Sequence, residues 1–187
     1  DDEHAAVLQR FANVFEQCYT RFLDLQKAEA QAREAQIEAA LERVRSRTLA
    51  MQKSDELAET AAVLFQQLIA LGIEPNRLYI AIVKDAQGLS EFWITEEDGT
   101  KVSTAFSADL NNNESFIKML EGWKKKKKSL VIDMQGEELQ NYFHHLTSLG
   151  VPFKGGLQQK RRVQDIAYFS KGFIGMASPD EQPAETR

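Results

Sequence analysis

Leu78-Tyr79-Ile80-Ala81-Ile82-Val83 is an unbroken apolar run whose one polar atom is the Tyr79 hydroxyl. A short run of this kind, rich in β-branched and aromatic residues, predicts a central strand covered on both faces. Working outward, Asp85 to Gly88 reads as a turn, and Ser90 to Thr95, with Phe92, Trp93 and Ile94, as the antiparallel return. Asp98-Gly99 is a hairpin signal leading into Val102 to Phe106, where Val102, Thr104 and Phe106 share one face. Asn111-Asn112-Asn113 offers N-caps to a helix built on Phe116, Met119, Leu120 and Trp123. A strand at Leu130-Val131-Ile132 follows, then a helix from Gly136 to Leu149 on Leu139, Tyr142, Phe143 and Leu146. Val163 to Phe169 and Phe173 to Ala177 close the domain across Ser170-Lys171-Gly172. Six strands in the order three, helix, one, helix, two, joined by short hairpins, predict an α+β domain with an antiparallel sheet.

Upstream, Ala5 to Leu71 holds no proline or glycine and is crowded with Ala, Glu, Gln, Leu and Arg. It reads as a very long helix, on the order of 100 Å if unbroken, started by the acidic Asp1-Asp2-Glu3. Leu8, Phe11, Phe15, Cys18, Phe22 and Leu25 recur at spacings of three and four, which is a heptad seam. A second seam, one residue out of phase, runs through Ile37, Leu41, Val44, Thr48, Met51, Asp55, Ala58, Ala62, Phe65 and Ile69. The register changes within Ala28 to Ala40, where altered packing is expected. A second reading ends the long helix near Ser54 or Asp55, either of which would cap a shorter helix closed by Gly72 and Pro75. On both readings Leu57, Ala61, Leu64, Phe65, Leu68 and Ile69 form an apolar face for the domain that follows.

The 187 residues carry a net charge of -5, which argues against a general nucleic-acid binder. The lone cysteine, Cys18, excludes an internal disulfide and leaves too few thiols for a structural zinc site, so a reducing, cytoplasmic setting is expected. No apolar run approaches the ~18 residues needed to cross a bilayer, and the polar start does not read as a signal peptide. No cofactor or metal is implied and no direct membrane insertion is expected. The chain reads as a soluble piece of a larger protein.

Several motifs carry more than one reading. His144-His145 are adjacent on a helix and point about 100° apart, which suits one histidine at the core edge and one in solvent better than a metal pair. The run Lys124 to Lys128 suits a solvated helix end, or contact with phosphate, acidic lipid or an acidic partner. Gly155-Gly156, with Lys154 and Lys160, Arg161 and Arg162, reads as a flexible loop or as an anion cradle of backbone amides. Cys18 reads as a packed seam thiol. Glu96-Glu97 and Glu137-Glu138 fall in a turn and a helix start, and no nucleophile, base and orienting group come with supporting context. Tyr79, Phe92, Ile94, Phe106 and Phe169 could line a cavity between sheet and helices or be plain core.

The pattern of long helix, three strands, helix, strand, helix and two strands resembles a GAF domain, a small antiparallel-sheet sensory module related to PAS domains. The run from Ala40-Leu41-Glu42-Arg43-Val44-Arg45-Ser46-Arg47 through Thr48-Leu49-Ala50-Met51-Gln52-Lys53 to Ser54-Asp55-Glu56-Leu57 resembles the linker of bacterial sensor histidine kinases with tandem GAF-like repeats. Phe11 to Ala35, with Phe15-Glu16-Gln17-Cys18-Tyr19-Thr20-Arg21-Phe22-Leu23-Asp24-Leu25-Gln26-Lys27, is similar to their inter-repeat helix. The resemblance implies a long signalling helix over residues 1–53, with 1–27 closing a preceding repeat, a GAF-like domain over 54–178, and a tail over 179–187 leading to a next element. Asp180-Glu181 echoes Asp2-Glu3 in that sense. It further implies a non-enzymatic relay module of a two-component system, neighbouring domains of a larger sensor as partners, and an unidentified small ligand. The seams imply a parallel homodimer through Leu8, Phe11, Phe15, Cys18, Phe22, Leu25, Ile37, Leu41, Val44 and Met51. Two rivals stand beside this reading: a structural dimerisation spacer that binds nothing, and a small-anion or nucleotide-binding domain using the basic loop.

Overall fold

A computed structural model describes residues 2–53, 56–73, 77–84, 87–96, 102–153 and 156–179. The chain divides into two compact units, Asp1–Arg43 and Val44–Arg187.

The first unit is helical throughout its described length. It belongs to α1 (Asp2–Ala50), 49 residues or about 74 Å of helix, with Asp2 and Glu3 in its first turn and Arg47 in its last. α1 runs without interruption through Ala28 to Ala40, where the two seams change phase. It does not run on to Leu71. Met51 closes the last turn, its N–H donating to the Thr48 carbonyl at 3.2 Å, and α2 (Leu57–Ala70) is a separate helix. Its N-cap is Glu56, which makes no side-chain capping bond; Ser54 and Asp55, the expected caps, lie outside the described residues. The second seam is therefore not one coiled-coil stripe past Ala50. Phe65, 1% exposed, packs instead in a core with Ala61, Ile73, Leu78 and Met176. The gain from burying such a side chain, ~1.5–3 kcal/mol, exceeds the propensity gained by keeping a few residues helical. Gly72 (φ 84) ends α2 in the left-handed conformation that glycine adopts without steric cost.

The second unit continues with β1 (Arg77–Val83), β2 (Leu89–Thr95), β3 (Val102–Asp109), α3 (Glu114–Lys124), β4 (Ser129–Gln135), α4 (Gly136–Ser148), β5 (Arg161–Phe169) and β6 (Gly172–Ser178). Asn113 caps α3, its side chain accepting from the Ser115 N–H at 3.0 Å. The strands form a single antiparallel sheet in the order β3-β2-β1-β6-β5-β4. The hairpin signal Asp98-Gly99, like Asp85, lies outside the described residues.

Strand alternation sorts the sheet into two faces. Tyr79, Ala81 and Val83 of β1 face α3 and α4, in a core with Phe92, Phe116, Met119, Leu139, Phe143 and Phe173. Leu78 and Ile80 face α2. β1, paired with both β2 and β6, is thus covered on both sides. Beyond α2, the face formed by β6, β5 and β4 holds an apolar groove of about 210 Å³ between Leu68, Val131, Ala167, Ile174 and Met176.

Phe65→Ala should lower unfolding stability by about 3–5 kcal/mol, read as a shifted urea midpoint with unchanged slope. Leu57→Ala, at a position 40% exposed, should cost under about 1 kcal/mol in the same titration.

Candidate functional site

Four of the five aromatic and aliphatic residues expected around an interior cavity come together. The Phe92 ring stacks on Phe106 (5.1 Å between centroids) and on Phe116 (5.5 Å), with Tyr79 6.3 Å away and tilted. Ile94, Met119, Tyr142 and Leu146 complete the wall, and the space left is about 10 Å³. That is room for one water. Phe169 is not part of this set. It follows Tyr168, whose hydroxyl donates to the Met119 carbonyl at 3.0 Å, so alternation puts Phe169 on the opposite face, where it is 39% exposed.

One end of this interior is polar. The Tyr79 ring lies across β6 at Gly175, where a Cβ would come within 2.1 Å of the ring, and its hydroxyl donates to Gln164 Oε1 on β5 at 2.5 Å. Gln164 is fully buried, and its Nε2 meets no partner in hydrogen-bonding geometry among the described residues. The Tyr142 hydroxyl joins Gln164 and Arg162 from α4. Arg162 donates to Gln159 Oε1 at 3.0 Å and lies over the Phe143 ring; Arg77 donates to the Pro152 carbonyl at 2.6 Å and lies over Phe153. Both arginines are almost completely buried. Burial holds the Tyr79 phenol well above its ordinary range, reinforced by the neighbouring Tyr142. Burial also raises Tyr142, against the pull of Arg162. Both phenols therefore keep their protons at neutral pH and cannot serve as bases. Sequence reading missed this cluster. Arg162 and Gln164 share the phase of Ile166, a core residue, and that alternation was the available signal.

The expected anion loop is not assembled as one patch. Arg161 makes a bidentate pair with Asp133 at 3.0 and 2.8 Å, while Arg162 turns into the other face and Lys160 is exposed. Lys154 and Gly155 lie outside the described residues. His144 is exposed; His145 packs edge-on against Phe116 at 5.1 Å, and partial burial lowers its pKa. Among the described residues no group of three His, Cys, Asp or Glu is placed to hold a metal ion, and no helix is long and apolar enough to cross a membrane.

Leu8, Phe11, Phe15, Cys18, Phe22, Leu25 and Leu41 are all exposed along α1, with Val7 and Val14 widening the stripe. Ile37 and Val44 are half-buried. Met51 lies just past the helix end, its sulfur 4.0 Å from the Thr60 hydroxyl. Comparison with family models, curated proteins and solved structures finds no match to this chain.

Because the folded pKa values of Tyr79 and Tyr142 lie above the unfolded value near 10.0, their contribution is complete below that pH. It is lost as pH rises through the folded values. Alkaline titration should show tyrosinate absorbance rising together with loss of circular dichroism, and Tyr79→Phe should flatten that limb.

Proposed function

We propose that the chain is a non-catalytic sensory and signal-relay module of the kind found in bacterial sensor histidine kinases, GAF-like in its sheet domain and a parallel homodimer through α1. The supporting observation is the exposed seam: Leu8, Phe11, Phe15 and Phe22 are 50–71% exposed in a single row of one helix. Each such side chain gains ~1.5–3 kcal/mol on full burial, and two copies contribute twice the set. That gain offsets the ~4–15 kcal/mol cost of association.

The relay would act through the C-terminal end of α1. Arg47 there pairs with Glu56 at 3.3 Å and with Glu59 on α2, which packs on the sheet through Ala61 and Phe65. A ligand or neighbouring domain that prefers one packing of the dimer biases α2, and the sheet domain biases the dimer in return. The phase change between Ala28 and Ala40 supplies two alternative packings.

A structural spacer is the second reading, favoured by the space of about 10 Å³ left among Tyr79, Phe92 and Phe106. Ligand-dependent thermal shift across metabolite panels separates the two, since a spacer shows none.

In a parallel, in-register dimer Cys18 meets its own copy. Mild oxidation should therefore give a disulfide-linked dimer that Cys18→Ser abolishes. Phe15→Glu should turn a dimer seen by light scattering at tens of micromolar into a monomer. A monomeric unsubstituted chain, or a dimer that never cross-links, would sink the parallel arrangement.

A further inference from the structure

The end of α3 and the β5–β6 turn enclose a cleft of about 620 Å³ lined by Trp123, Lys124, Lys126, Lys127, Tyr168, Phe169 and Ser170. Its volume falls within the range of small-molecule sites. It shares no residue with the α1 seam, so it extends the relay reading without resting on it.

Two independent observations mark this cleft. The first is its composition. One side is aromatic, with Trp123 half-buried and Tyr168 anchored by its bond to the Met119 carbonyl. The rim is cationic. Lys125 is engaged with Glu121 at 2.9 Å, whereas Lys124, Lys126 and Lys127 are exposed and make no salt bridge among the described residues. Glu121 has its pKa lowered first by Lys125, and also by the charges of Lys127 and Lys124. In a chain of net charge -5, this concentration of positive charge is local to the cleft.

The second is backbone conformation. α2, α3 and α4 end in the same two-bond motif. The Gly72 and Ile73 amides donate to Ile69 and Leu68, the Gly150 and Val151 amides to Thr147 and Leu146, and the Lys126 and Lys127 amides to Trp123 and Gly122. The left-handed residue is glycine in α2 (φ 84) and α4 (φ 80), but in α3 it is Lys126 (φ 52). A side chain stands where the backbone favours none, a conformation that non-glycine residues adopt at an energetic cost. Strain of this kind points to a role for the side chain that bears it.

We propose that this cleft binds a small molecule joining a phosphate to a planar ring, such as a nucleoside monophosphate or an aryl phosphate. The ring lies against Trp123 and Tyr168, and the phosphate sits among the ammonium groups of Lys124, Lys126 and Lys127. A compact dianion matches three ammonium groups, and charge-assisted hydrogen bonds to phosphate are the strong class. The concave shape suits a small ligand better than a flat lipid surface does.

The chain has two tryptophans, so Trp93→Phe leaves Trp123 as the sole tryptophan, to be excited selectively over the tyrosines. Titration at low salt with adenosine monophosphate, phenyl phosphate, inorganic phosphate, adenosine and phosphatidylglycerol vesicles reads the site directly. Saturable quenching is expected with at least one of the two ring phosphates, and which one responds identifies the source. Inorganic phosphate and adenosine should each bind about tenfold more weakly or worse. Lys126→Gly should weaken ring-phosphate binding by about tenfold while raising Tm, because glycine relieves the left-handed strain. The combination of tighter folding and weaker binding excludes simple misfolding. Absence of saturable quenching by either ring phosphate would overturn the proposal. So would equal affinity for inorganic phosphate, a response to vesicles alone, or a Lys126→Gly protein that binds unchanged.

Discussion

The pairing of β1 with β6 is the constraint on which the rest depends. It aligns Arg77 with Ala177 and Ile82 with Gly172, joining segments far apart in the chain, and closing it costs loop entropy that the local hairpins do not incur. Without it the sheet falls into two three-stranded pieces, β1 to β3 and β4 to β6. With it, the middle of the sheet is covered on both faces, by α2 through Leu78 and by α3 and α4 through Tyr79. The Tyr79 ring crosses this pairing to reach Gln164 on β5, so three strands are tied together by one buried hydroxyl. That crossing requires Gly175, since any Cβ there occupies the space of the ring.

The interior and the surface therefore have different characters. Inside, rings of Tyr79, Phe92, Phe106, Phe116 and Phe173 fill the space between sheet and helices, and the buried arginines are held by a carbonyl, an amide and ring faces. Outside, the apolar seam of α1 and the lysine-rimmed cleft at the end of α3 remain open in a single chain. The first suits association with another helix and the second suits an anion. Neither depends on opening the core.

The clustering of four interior residues was legible, and the omissions around them have definite causes. Tyr79, Phe92, Ile94 and Phe106 converge because strand alternation puts them on one face, and alternation is a local property. The same rule, applied from Tyr168, would have excluded Phe169. Arg77, Arg162 and Gln164 went unrecognised as interior residues because arginine and glutamine are seldom buried, and only the covering Tyr142, Phe143 and Phe153 make burial tolerable here. Lys126 could not be singled out from its four neighbours, since the conformation that distinguishes it is set by where α3 stops.

By itself the sequence determined the six strands, the two helices between them and their order, because caps, turns and alternation act over a few residues. It also determined the apolar seam of α1, which follows from spacing alone. Only the tertiary structure decided where α1 stops. Met51 to Lys53 contain no glycine or proline, and the helix ends there so that Ala61 and Phe65 can lie on the sheet. Only the tertiary structure brought the end of α3 against the β5–β6 turn, since a cleft between segments distant in sequence exists only once the sheet has closed.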